Sequence, residues 1–235
     1  MTGPMHDHFH DHDCQKGPHP VWEELAAHLP FSVGSVVVAL SALTAVNLVF
    51  QVRDHDALER IFHVSHSIHV LLAATGTTAM FLIYSGRRPA AALIGILGSV
   101  PICTLADIAF PWLGGRLLGQ TMEFHICALQ EPFLIWPCAA IGVATGLFSA
   151  PHVRRLTIYS HSGHVLVSSF ASALYLMSFG VSNWLVHFGW VILIVTVAVM
   201  LPCVASDIVL PLLFTKRRRR QPEMGDEEEI IHRRH

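Results

Sequence analysis

The sequence predicts an all-α integral membrane protein: six transmembrane helices forming two inverted three-helix repeats, with short amphipathic helices before spans one and four. Three observations carry that expectation. First, 52% of the 235 residues are hydrophobic and only 14% are charged, and the charges crowd into the ends and the connections between apolar runs. Second, six runs reach or approach the roughly 20 residues that a helix needs to cross a hydrocarbon core; they fall at 31–50, 61–84, 90–113, 132–149, 157–180 and 185–214. Third, three landmarks recur in the same order, the mark of a duplicated unit. "LPF" at 29–31 matches "EPF" at 131–133, "HSIHV" at 66–70 matches "HSGHV" at 161–165, and "CTLADIAFP" at 103–111 matches "CVASDIVLP" at 203–211.

These landmarks divide the chain into a His/Asp-rich tail at 1–20, a three-span repeat at 21–115, a second at 116–215 and a charged tail at 216–235. Three spans is an odd number, so the second repeat starts on the opposite face of the membrane from the first. The two halves are then related by a two-fold axis in the membrane plane. Carriers built on that plan hold their substrate at the repeat interface near mid-membrane.

Taken in order, the tail "MTGPMHDHFHDHDCQKGPHP" has no apolar segment of the kind a cleavable signal needs, which predicts a cytosolic amino terminus. Its composition cannot bury a core and predicts disorder. Imidazoles and carboxylates at that density bind divalent transition metals loosely, although a merely solvated tail reads the same way. "VWEELAAHL" at 21–29 reads as a short helix lying on the membrane surface, loosely matched by "EFHICALQE" at 123–131.

Span one follows, then span two with its histidines, then spans three to six. With both ends cytosolic, the inner segments hold Arg87 and Arg88, Arg154 and Arg155, and "KRRRR" at 216–220, while the outer connections hold only Arg53, Arg60 and Arg116. That asymmetry is the one expected when basic residues stay inside. The net charge of −2 carries no information on partners, because the acidic "GDEEE" offsets the basic run. The five cysteines, Cys14, Cys103, Cys127, Cys138 and Cys203, lie scattered over tail, spans and connection and read as thiols rather than bridges.

The chemistry rests on the polar residues inside the spans. A carboxylate in hydrocarbon costs several kcal/mol unless it is protonated, paired or bound to a cation, so Asp107 and Asp207 require partners. His66 with His69, and His161 with His164, are three residues apart and project from neighbouring positions on one helix face. At 1.5 Å per residue, His66 and His69 lie roughly 8–12 Å below the outer boundary and Asp107 about 9 Å below it, so the three are level. Inversion makes His161, His164 and Asp207 level near the inner boundary.

Two imidazoles and a carboxylate are ligands suited to Zn, Fe(II), Mn, Co or Ni. Depth alone leaves open whether the two sets are separate stations or one two-metal site. Cys103 and Cys203 stand four residues before the aspartates on the same face and could add a thiolate, though buried cysteines more often serve as small apolar residues. Glu131 opens span four where the first repeat has Leu29, so any role as ligand or proton carrier is asymmetric. His63 has Ile158 as its counterpart, which weakens its case, and His125 with Glu123 could extend an outer entrance.

The leading expectation is a transporter of a divalent transition metal, Zn or Fe(II) before Mn, Co and Ni, in which rocking of the halves exposes each ligand set in turn. Proton uptake by the vacated ligands would couple flux to pH. A membrane metalloenzyme, a lipid or quinone oxidoreductase or a hydrolase using a metal centre, is the alternative. A b-type haem protein comes third, because histidines three apart on one helix cannot both be axial ligands of one iron. The expected partners are the metal ion and the lipid bilayer, with no nucleic acid; association into a homo-oligomer stays open.

Overall fold

A computed structural model describes residues 21–50, 55–153, 157–181 and 184–202 of the chain. Every regular element among them is helical. In chain order these are α1 (Val21–Phe50), α2 (His55–Ser85), α3 (Arg88–Thr104), a π-helical turn (Leu105–Ala109), α4 (Phe110–Leu117), the single turn α5 (Cys127–Gln130), α6 (Pro132–Val153) and α7 (Thr157–Phe179). A last helix, α8, runs over Phe188–Pro202.

Four helical stretches are long and apolar enough to cross a membrane: Leu29–Val49, His55–Ile83, Arg88–Leu117 and Pro132–Ser149. They coincide with the first four expected spans. Gly163–Phe179 and Phe188–Pro202 are apolar but shorter, and the remainder of the expected sixth span lies outside the described residues. The amphipathic segment expected at 21–29 is not a separate helix, because α1 runs unbroken from Val21 through Pro30 to Phe50. Proline removes one backbone donor from a helix, a loss that membrane helices tolerate when neighbouring groups re-satisfy the freed carbonyl. Before span four, the segment expected as a helix over 123–131 is helical only in the single turn α5.

α2 is the central helix, packed by α3, α6 and α7, while α1 lies on α7 and α3 on α6. Its sequence explains the position. Ile61, Val64 and Ile68 are spaced along one face and are exposed, whereas Phe62, His63, His66, His69 and Val70 are turned inward and buried. A helix with a polar face in a membrane must turn that face towards protein, so the histidines fix which side of α2 meets its neighbours.

The packing on the remaining side depends on small residues. A Cβ at Gly142 would collide with the Leu71 carbonyl, and one at Gly146 with the carbonyl of Thr75, 2.6 Å away. This Gly-x-x-x-Gly pair lets the α6 and α2 backbones approach closely, the usual basis of helix association where lipid removes the hydrophobic drive. Thr75 adds a hydrogen bond from its hydroxyl to the Gly142 carbonyl at 3.1 Å.

α2 ends at Gly86, whose φ of 65° is the left-handed conformation glycine adopts freely. Its N–H bonds the Leu82 carbonyl at 2.8 Å. With only Gly86 and Arg87 between them, and proline at the start of α3, the two helices turn back on each other as neighbours. α2 and α7 also run antiparallel: Phe62 near the start of α2 touches Tyr175 and Phe179 at the end of α7, while His69, two turns further along α2, meets His164 three to four turns earlier in α7.

Candidate metal centre

Asp107 sits in the middle of the π-helical turn, between Pro101 and Pro111. The turn has a local cause. The Phe110 N–H bonds the carbonyl of Leu105, five residues back, and Pro111 has no N–H to offer. The Ala106 carbonyl therefore lacks its backbone donor in either register, since Phe110 bonds elsewhere and Pro111 cannot bond at all. Ser172 on α7 supplies the missing donor, its hydroxyl 3.1 Å from the Ala106 oxygen. Single π turns inside α-helices recur at functional sites, and this one faces the carboxylate of Asp107 towards α2 and α7.

That carboxylate is fully buried. One oxygen, Oδ2, lies 2.8 Å from Nδ1 of His66 and 2.6 Å from Nδ1 of His69. The other, Oδ1, accepts from the Ser168 hydroxyl at 2.9 Å and more weakly from Ser172 at 3.4 Å. An ionised carboxylate only accepts, so both imidazoles present Nδ1–H to it. His69 directs its Nε2 at Nε2 of His164, 3.1 Å away. His66 is held in place by Phe62, stacked at 5.7 Å between centroids.

His66, His69 and Asp107 each offer a ligand atom, all within 4.8 Å of one another. The three residues the sequence placed level are thus together. An ion could bind Nε2 of His69 with Asp107 orienting the ring from behind, the arrangement common around metal-bound histidines, or displace the Nδ1 protons and take Oδ2 with the two Nδ1 atoms. Cys103 is fully buried beside His69, outside the three-residue set.

Ser168 and Ser172, which hold Oδ1, lie one turn apart on the buried face of α7, and their signal was the serine-rich run after "HSGHV". Glu131 is exposed at the start of α6 and belongs to neither ligand-spaced group among the described residues. His63, discounted for lack of a counterpart, is buried, with Nε2 3.0 Å from Nε2 of His125. Together with Cys127 these two form a second ligand-spaced group. Of the second ligand set, His164 is described and meets His69 without being one of the three ligand-spaced residues; the His161 side chain, Asp207 and Cys203 lie outside the described residues, as do both tails.

Fold and site together define a class: an all-helical protein with helices able to cross a membrane, and buried histidine and carboxylate groups that could hold a metal ion. No protein-family model matches the chain, and neither a curated protein nor a solved structure matches it.

Proposed function

We propose that this protein is a transmembrane transporter of a divalent transition metal, with Zn(II) or Fe(II) the favoured cargo. The observation that carries the reading is the meeting of both His-Ser-X-His-Val segments, through His69 and His164, beside a carboxylate buried within a helical stretch long and apolar enough to cross a membrane. His69 and His164 occupy the same place in "HSIHV" and "HSGHV". Equivalent residues touch when they lie next to a two-fold axis, so their contact, with α2 antiparallel to α7, supports the inverted repeat and six spans. On that reading His161, His164 and Asp207 repeat the set made by His66, His69 and Asp107.

The residues suit a cargo that must both arrive and leave. A carboxylate already bonded to two imidazoles and a serine is stable without the ion, and its ligands can return to those hydrogen bonds when the ion departs. A haem has no comparable support, because facing imidazole nitrogens at 3.1 Å leave no gap for a porphyrin between them.

The test is metal uptake by liposomes holding the purified protein and a metal-sensitive dye. Wild type is expected to carry Zn(II) or Fe(II), and Asp107→Asn and His66→Ala to lose most of the flux. Flux undiminished in Asp107→Asn overturns the proposal.

A further inference from the structure

Besides the Asp107 cluster, one more set of metal-ligating side chains lies buried among the described residues. His63 projects from α2 one turn before His66, His125 lies in the connection ahead of α5, and Cys127 is the first residue of α5. Cys127 is fully buried, and His63 and His125 are nearly so. Their ligand atoms lie within 4.8 Å of one another, with the two Nε2 atoms 3.0 Å apart.

We propose that His63, His125 and Cys127 form a second metal site, of imidazole and thiolate character, that takes Zn(II) or Co(II) at the α5 end of the bundle. A tetrahedral ion with metal–nitrogen bonds of 2.0–2.1 Å holds two nitrogen ligands about 3.3 Å apart. The observed separation is within a few tenths of an ångström of that value. Three protein ligands leave a fourth position open, the pattern of a site that exchanges what it binds.

The connection bearing His125 is fixed rather than loosely draped. The Glu123 N–H bonds the Phe179 carbonyl at 2.9 Å, and the Tyr175 hydroxyl donates to the Glu123 carbonyl at 2.7 Å. Phe179 stacks on the His125 ring at 5.1 Å. The ligand is therefore presented by a backbone tied to the end of α7.

Charge also favours a cation. Glu59, Glu123 and Glu131 all act electrostatically on His125. Burial nevertheless outweighs them and lowers the His125 pKa, which keeps its ring in the neutral, ligating form. Burial, with the charge of Asp107 next, pushes the Cys127 thiol up to about 12, so a bound metal must displace its proton.

The second repeat has Ile158 where the first has His63. The site is therefore asymmetric, and one turn of α2 separates it from His66. As a station from which cargo reaches the Asp107 cluster, it rests on the transport reading; as a metal site it stands without it.

The experiment is a Co(II) titration of the full chain in detergent, followed by absorption, in a Cys14→Ser background that removes the tail thiol. A thiolate-to-Co(II) charge-transfer band is expected, lost in Cys127→Ser and retained in Asp107→Asn. His125→Gln is expected to weaken Co(II) binding at least tenfold and guards against misfolding of the cysteine variant. Absence of the band in the background chain, or its survival in Cys127→Ser, overturns the proposal. Loss of the band in Asp107→Asn overturns the independence of the two sites. A band lost in Cys127→Ser while Asp107→Asn still transports upholds this site and rejects the transport role of the other.

Discussion

Replacing Ser172 by alanine isolates the device that shapes the centre. The Ser172 hydroxyl is buried and lies 3.1 Å from the Ala106 carbonyl, the group that Pro111 leaves without a backbone donor. Its removal strands a buried acceptor, which costs about 1–3 kcal/mol. Asp107 keeps the stronger donor of its Oδ1, Ser168 at 2.9 Å, so the carboxylate stays in place. For a chain of this size each kcal/mol moves the melting temperature by about 2–4 °C, which predicts a fall of roughly 2–12 °C in thermal unfolding of the detergent-solubilised protein. Pro111→Ala restores an N–H at position 111 that can reach the stranded carbonyl. In that background the Ser172→Ala penalty should shrink by about 1 kcal/mol or more, because the acceptor has a second donor. Unfolding of wild type, both single variants and the double variant supplies the cycle. Penalties that add to within about 0.5 kcal/mol, the behaviour of independent sites, refute the argument.

Other substitutions test the remaining parts. Asp107→Asn keeps the shape of the side chain but removes the charge on which both Nδ1–H groups converge; metal affinity should fall at least 10–100-fold, the loss typical even of a residue that only orients a ligand. Equilibrium competition with a chelating dye measures it, and a change under threefold counts against the site. His164→Gln takes away the ring facing His69 and should weaken binding by about tenfold if the two segments work together, as one binding unit of 1.4 kcal/mol. Gly146→Ala drives a methyl group into the Thr75 carbonyl and the Thr78 Cβ and should cost about 1–3 kcal/mol. Gly34→Ala meets no atom within 4 Å and should be neutral or slightly stabilising; the two melting curves side by side check both.

The helical class and the first four spans were legible in the sequence because hydropathy is a local property, read from one run of residues at a time. The grouping of His66, His69 and Asp107 was legible too. Helical spacing puts the two histidines on one face, depth along each helix puts the aspartate at the same level, and a buried charge leaves no alternative to a partner. The extent of α1 was not legible at Pro30, a residue that usually ends helices in water and is carried through here. The direction in which Glu131 points was not legible, because depth along a helix does not fix rotation about its axis.

By itself, then, the sequence determined that charges buried among apolar runs must be paired, and which residue types stood at the right height to pair them. Only the tertiary structure decided which way each side chain faces. One extra residue in the π turn re-aims Asp107, two serines on α7 hold its second oxygen, and the connection before α5 brings His125 and Cys127 up to His63. Those outcomes depend on the rotation of each helix about its own axis and on contacts between segments more than sixty residues apart. Spacing along one chain fixes height, but rotation is fixed only when all neighbouring helices pack at once.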